Sequence, residues 1–121
     1  MKTLAKLSRL NTRPEPFDSL RVVGLEINLF SLTAGVAEVN ALRYTPSGVP
    51  ALNCKLEHAS EVTEAGQVRQ VKVVMKAVCF GSVAESLARQ DIGSHWKFTG
   101  FLATPHGTKQ IVFHIQEFVK D

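Results

Sequence analysis

Two neighbouring stretches decide the fold: residues 51–60, ALNCKLEHAS, and residues 68–80, VRQVKVVMKAVCF. In the first, one face carries Leu52, Cys54, Leu56 and His58, and the other carries Asn53, Lys55 and Glu57. In the second, one face carries Gln70, Lys72, Val74 and Lys76, and the other Arg69, Val71, Val73, Met75 and Ala77. A period of two residues predicts β-strands. The polar residues 61–67, with Gly66, are interpreted as the turn between them.

The same pattern extends in both directions from this hairpin. A first strand is predicted over Glu26–Gly35, with Gly35 as a candidate bulge. The Pro-Ser-Gly turn within residues 43–50, RYTPSGVP, separates it from the second strand. Beyond the third strand, Gly81 ends the β pattern. Ser82 is then expected to cap a short helix through Arg89, with Glu85 completing a capping box.

The remaining residues predict a second hairpin. The fourth strand is expected over Ser94–Ala103, with Trp96 and Phe98 inward, and residues 104–107 form a compact turn. The last strand is expected over Lys109–Val119, with Ile111, Phe113 and Ile115 on one face. Long strands in the order β-β-β-α-β-β predict an all-β fold, a five-stranded OB-fold Greek-key barrel with one short helix between strands 3 and 4. An SH3-like barrel or β-sandwich is the alternative, and the position of the helix counts against it.

Charge divides the chain into two parts. Residues 1–23 carry five basic and two acidic side chains and two prolines, and are interpreted as a flexible N-terminal extension. Residues 24–121, the predicted OB-fold domain, carry nine basic and nine acidic side chains. Any attraction of this domain for phosphate must therefore come from the placement of its charges, not from an excess of positive charge.

The composition argues against an enzyme. The four histidines are scattered over three strands and a loop, Cys54 and His58 are too far apart along one strand for a hydrogen bond, and no nucleotide-binding or nucleophile motif occurs. The two cysteines, 25 positions apart, show no zinc-site spacing and read as reduced core thiols, which suits the cytoplasm. No metal or cofactor is expected. No apolar run is long enough to span a membrane, so no membrane partner is expected.

An ordered set of short motifs carries a resemblance over about residues 27 to 119. These are RYTPSGVP at 43–50, LEHAS at 56–60, EAG at 64–66, Gly93-Ser94, Gly100-Phe101 and Val112-Phe113-His114. The set resembles the primosomal replication protein N (PriB) family. The resemblance implies a homodimer of OB folds that binds single-stranded DNA during replication restart. It also implies contacts with the primosomal helicase PriA, which it would stimulate or recruit, and with DnaT.

Binding of a single strand needs cations for phosphates and flat side chains for bases. The outward lysines of the central hairpin predict a phosphate track, and ordinary solvated lysines are the alternative. Tyr44 could stack on a base or pack against Pro46. The candidate nucleic-acid-binding residues are Arg43, Tyr44, Lys55, Lys72, Lys76, His106 and Lys109.

A dimer interface is predicted along the first strand and the last hairpin, at Leu29, Phe30, Leu32, Phe101 and Leu102, because they leave more apolar surface than one small barrel needs. Two features depart from the family. Lys72 occupies a position where a member carries tryptophan, and the loop 104–109 is shorter and less basic. An OB-fold protein–protein adaptor with little DNA binding is therefore the alternative function.

Overall fold

The computed structural model describes residues 26–121, which form six strands and one helix. The predicted extension, residues 1–23, lies outside the described residues. The elements are β1 (Phe30–Val39), β2 (Arg43–Tyr44), β3 (Pro50–Glu64), β4 (Gln67–Phe80), α1 (Ser82–Ala88), β5 (His95–Ala103) and β6 (Val112–Val119).

The five long strands close into a ring. β1 pairs with β5 through its first half and with β3 through its second half, so one strand serves both sides of the barrel. Antiparallel pairs β3–β4 and β5–β6 and a short parallel pair β4–β6 complete the ring, and β2 is added outside β3. With α1 between β4 and β5, this is the predicted Greek-key OB barrel, which is confirmed.

The core forms from the inward positions of the alternating strands. Leu52, Leu56, Phe98 and Phe113 are completely buried, as the alternation predicts. Ala84 and Leu87 of α1 are also completely buried and pack into the same cluster, so the helix covers part of the barrel interior. Burial of each large apolar side chain contributes about 1.5–3 kcal/mol to folding.

Trp96, which was predicted to point inward, lies at the edge of this core. Its ring is half-buried and packs edge-on against Phe118 at 5.0 Å, and its Nε1 donates to Ser94 Oγ at 2.9 Å. The Lys120 Nζ lies 5.0 Å above the ring. Trp96 therefore has a structural role at the barrel edge.

Gly100 is required where β5 and β6 approach most closely. A Cβ atom at this position would lie 1.8 Å from the carbonyl oxygen of His114. The pairing register shifts between Thr99 and Gly100, which marks a β-bulge. Because backbone atoms occupy the space, only glycine allows β6 to cross here.

The first and the last strand differ from their predicted bounds. β1 begins at Phe30 and ends at Val39, not at Glu26 and Gly35. Before it, the side chain of Asn28, not the backbone, hydrogen-bonds both backbone groups of Leu102. The last strand begins at Val112 instead of Lys109, and Ile111 is exposed.

The polar segment 61–67 is not a loop. β3 continues to Glu64 and β4 resumes at Gln67, so only Ala65 and Gly66 form the turn. Residues beyond the barrel form a two-stranded ribbon that is exposed to solvent on both faces. These residues are polar because they are exposed, and a sequence pattern cannot distinguish an exposed ribbon from a loop.

Other local predictions also needed correction. Gly81 is the N-cap of α1, Ser82 is already helical, and no side chain caps the helix, so the predicted capping box is absent. The connection between β5 and β6 spans residues 104–111 and is not a compact turn, although Thr108 N–H donates to Pro105 O within it. Arg43 and Tyr44 lie in the short strand β2, which pairs with Pro50 and Ala51, and not in a loop.

Candidate nucleic-acid interface

Two of the candidate lysines face each other on the outside of the barrel. Lys55 of β3 and Lys76 of β4 are directly paired across the strands, so their side chains emerge on the same face. Their partners lie to either side. Lys55 Nζ is 3.5 Å from Glu38 Oε1, and Lys76 Nζ donates to Gln110 Oε1 at 3.3 Å.

Lys72 extends this face along β4. It is exposed and pairs with Ala59, four positions from Lys76 and therefore about 13 Å along the strand. Val74, between the two lysines, is 64% exposed and pairs with Glu57. The three predicted lysines thus share one face, where an apolar side chain and an acidic one separate Lys72 from the Lys55–Lys76 pair.

β2 brings Arg43 to the same end of the face. Its Nε and Nη2 both donate to Asn53 Oδ1, at 3.1 and 2.9 Å. Since Asn53 precedes Lys55 by two positions on the outward side, Arg43 joins the lysine pair. Tyr44 is 62% exposed, which leaves most of its ring accessible to a base.

A side-chain hydrogen bond connects the loop 104–111 to this region. Gln110, which accepts the hydrogen bond from Lys76, ties the loop to β4. His106 and Lys109 lie in the same loop and are exposed. The structure thus connects the loop to the lysine pair through Gln110, while both predicted loop residues project into solvent.

A groove lies beside the Lys55–Lys76 pair, between residues of β1, β3, β4 and β6. It has a volume of about 330 Å³ and is lined by Glu38, Asn40, Asn53, Cys54, Lys55, Lys76, Ala77 and Val112. Polar amides, one carboxylate and two ammonium groups converge in it. This composition suits a phosphodiester better than an apolar ligand, although Glu38 opposes an anion.

The sequence interpretation missed an aromatic row on the same outer surface. His114 of β6 is stacked between Phe101 of β5, at 4.7 Å between ring centroids, and Phe80 of β4, at 6.1 Å. Phe80 is 43% exposed. The alternation along β4 could have predicted that Phe80 points outward. Every second residue of a strand shares a face, and Phe80 has the same parity as Lys72 and Lys76.

The predicted dimer residues are divided between surface and core. Leu29 is 72% exposed. Phe30, Leu32 and Leu102 are half-buried against the core, and Phe30 contacts Phe113 edge-on at 4.9 Å. Phe101 lies in the aromatic row. Leu29 is therefore the member of the set that offers most apolar surface to a partner.

The first half of β1 has one open edge within the described chain. β5 occupies one side, while β3 pairs with β1 only from Gly35 onward. The carbonyl of Thr33 on the open side accepts a hydrogen bond from His58 Nδ1 at 2.6 Å, which places the proton on that nitrogen. Since backbone groups alternate in direction, those of Ser31 point to the same open side.

Among residues 26–121 the structure shows neither a cluster of metal-ligating side chains nor a helix that could span a membrane. No group of three or more histidine, cysteine, aspartate or glutamate side chains is positioned to hold a metal ion there. In the same part of the chain, no helix has the length and apolar character needed to cross a bilayer.

Comparisons with known proteins agree on the family. A family model described as "another single-strand binding protein family" matches residues 28–117. The replication restart protein PriB of Bordetella pertussis is 39% identical over 92 residues, which cover 75% of this chain and 86% of that protein.

Solved structures give the same result. PriB from Ralstonia solanacearum superposes with a TM-score of 0.73 at 38% identity, covering 78% of this chain and 98% of that one. A single-stranded DNA binding protein from Thermus aquaticus, 21% identical and covered over 51% of its length, shares the fold with a TM-score of 0.62. The matched family is one of single-strand binding proteins and not of enzymes, which agrees with the expectation that the chain is not an enzyme.

Proposed function

The chain belongs to the single-strand binding protein family and, within it, to the PriB replication restart proteins, and from this premise we propose that it binds single-stranded DNA during replication restart. The binding surface is the outer face of β3 and β4, together with β2 and the loop 104–111. The names of the relatives support a role in replication restart, and the placement of the cations supports single-stranded DNA as the ligand.

One observation carries the choice of this face. Lys55 and Lys76 are directly opposite on neighbouring strands, with Lys72 on the same face and Arg43 beside them. Like charges opposed across a sheet are destabilising unless an anion lies between them. A domain with no net charge that concentrates cations in this way is therefore suited to a phosphate backbone.

Aromatic side chains at the ends of this face supply surfaces for bases. Tyr44 is exposed beside Arg43, and Phe80 is exposed at the end of β4. Stacking of a base on an aromatic ring is worth about 1–3 kcal/mol and tolerates any base sequence. These two rings would supply the base stacking that a family member obtains from a tryptophan at the position of Lys72.

Membership of the family supports a proposal for the wider role. We propose that the protein works in the cytoplasm within the primosome, where it stimulates or recruits the helicase PriA and contacts DnaT. It acts as a homodimer in which the open edge of β1 pairs with that of a second copy, with Leu29 and the other apolar residues predicted above at the contact. An open strand edge with exposed apolar side chains is a template for such pairing.

Fluorescence anisotropy of a labelled thymidine oligomer of about 30 nucleotides tests the DNA-binding proposal, with a duplex as control. We expect saturable binding that prefers the single strand. The triple variant Lys55→Ala, Lys72→Ala, Lys76→Ala should weaken binding at least about tenfold at low salt. The slope of log affinity against log salt should become shallower by about 2, since three phosphate contacts are lost.

A second triple variant matches the change in net charge. Arg89→Ala, Lys97→Ala, Lys120→Ala removes three cations outside the proposed face. At low salt it should weaken binding less than the first triple variant does. At about 0.15 M salt, where the Debye length is about 8 Å, its affinity should stay within about threefold of the wild type because these distant charges are screened. Equal losses in both triple variants would rule out the β3–β4 face as a specific track. No binding by the wild-type protein at low salt, with helicase binding retained, would favour the adaptor function.

A further inference from the structure

A row of four polar side chains crosses the proposed binding face at right angles to the strands. Gln110 contacts Lys76, Lys76 is opposite Lys55, and Lys55 Nζ contacts Glu38 Oε1 at 3.5 Å. Glu38 and Lys55 are themselves directly paired across β1 and β3. Glu38 is thus the anion at one end of a row that contains the two central cations.

A β-bulge places Glu38 in this row. The register between β1 and β3 shifts between Val36 and Glu38, so Ala37, and not the predicted Gly35, is the extra residue in β1. Gly35 remains opposite Glu57, and Val36, completely buried, remains opposite Leu56. Without the extra residue, strand alternation would put position 38 on the inward side. The bulge therefore turns the carboxylate toward Lys55.

The Glu38 carboxylate, like a DNA phosphate, supplies a negative charge next to the lysine pair. Lys55 and Lys76 repel each other across the strands, and Glu38 offsets part of that repulsion in the free protein. The Lys55 and Glu38 side chains are 41% and 58% exposed, so water and ions reach the pair and it can open at low cost. A strand that brings a phosphate to Lys55 must displace Glu38 or accept its repulsion.

We propose that Glu38 is an internal substitute for a DNA phosphate, which holds Lys55 when no strand is bound and lowers the affinity of the face for single-stranded DNA. This inference rests on the proposed function and concerns the regulation of the same site. Glu38 also helps a face with three lysines to release its strand, because its carboxylate pairs with Lys55 when the phosphate leaves.

The variant Glu38→Gln tests this directly, since it keeps the shape of the side chain and removes its charge. We expect its affinity for the thymidine oligomer to rise about three- to fivefold at low salt. The salt slope should steepen by less than the value of one phosphate contact, about 0.7, because Lys55 no longer exchanges Glu38 for the phosphate when the strand binds. Without DNA, the melting temperature should be unchanged or a few degrees lower, since the lysine pair loses its anion.

A double-variant cycle separates displacement of Glu38 from a general charge effect. In a Lys55→Gln background, Glu38→Gln should change the affinity less than about 1.5-fold, since the residue it holds is gone. Glu57→Gln is the matched control: Glu57 lies on the same face, is exposed and pairs with Val74. Its removal should raise the affinity less than Glu38→Gln does, and equally in both backgrounds.

Distinct results would overturn the inference and the proposed function. An unchanged affinity in Glu38→Gln, an effect equal to that of Glu57→Gln, or full additivity with Lys55→Gln would each refute the role of Glu38 while DNA binding itself stands. Failure of both wild type and Glu38→Gln to bind the oligomer at low salt would refute the proposed function, and the inference with it.

Discussion

At the residue scale, the two cysteines make the stability depend on pH. Burial, with a smaller contribution from nearby Cys79, raises the pKa of the Cys54 thiol to about 12. Burial likewise raises the pKa of Cys79 to about 11. Both thiols are therefore neutral at physiological pH, and as ordinary core side chains they are poor nucleophiles.

The sign of the pH effect follows from proton linkage. An unfolded thiol has a pKa of about 9, so between pH 9 and 11 the unfolded chain has lost protons that the folded chain keeps. The free energy of unfolding is thus greatest below pH 9 and falls above it, by up to about 1.4 kcal/mol per pH unit for each thiol.

Urea unfolding at pH 8 and pH 10.5 measures this loss. The double variant Cys54→Ala, Cys79→Ala should lose less stability between the two pH values than the wild type, although it starts lower because of the removed core atoms. Lysine and tyrosine titration is common to both proteins and cancels in the comparison. An equal loss in both would show that the thiols do not titrate in this way.

At the scale of one element, the turn of the β3–β4 ribbon has a replaceable residue. Ala65 and Gly66 have φ angles of 53° and 78°, the left-handed values of a two-residue type I′ turn. Alanine is disfavoured there, whereas asparagine tolerates this conformation and is common at the first position. Arg69 and Glu64, paired at 2.9 Å, flank the turn and hold the register.

We therefore expect Ala65→Asn to stabilise the protein by about 0.5–1 kcal/mol. The melting temperature and the urea midpoint measure the gain, and binding of the oligomer should not change. Gly66→Ala serves as the opposite control and should destabilise, because it puts a Cβ atom on a second left-handed residue. A loss of stability in Ala65→Asn would contradict the assigned turn.

At the scale of the whole molecule, we expect the open edge of β1 to determine the oligomeric state. The proposed dimer joins two copies along the open half of β1, and Leu29, directly before this strand, is 72% exposed. A lysine on such an edge prevents pairing, because two copies would place like charges together. Since Leu29 contributes little to the monomer core, its replacement should leave the fold intact.

Sedimentation velocity at micromolar concentration should give a dimer for the wild type and a monomer for Leu29→Lys. Val68→Lys is the matched control, since Val68 is similarly exposed, at 65%, but lies on the ribbon. It should remain a dimer. A monomeric wild-type protein at this concentration would refute the dimer, and a dimeric Leu29→Lys would place its contact elsewhere.

The sequence by itself determined the barrel, because alternation is a local property that each strand carries. Leu52, Leu56, Phe98 and Phe113 could be assigned to the core from parity alone, and the helix position distinguished this barrel from its rivals. The shared face of Lys55, Lys72 and Lys76 followed from the same alternation. The resemblance to the PriB family, carried by short turn motifs, indicated the function that the comparisons support.

Only the tertiary structure decided what lies beside these residues. The bulge that turns Glu38 toward Lys55, the loop contact of Gln110 with Lys76, and the row of Phe80, His114 and Phe101 all join residues far apart in sequence. Parity along one strand says nothing about register between strands, since a bulge or a one-residue shift changes every neighbour. The distances that set charge and stacking on the binding face exist only once the ring has closed.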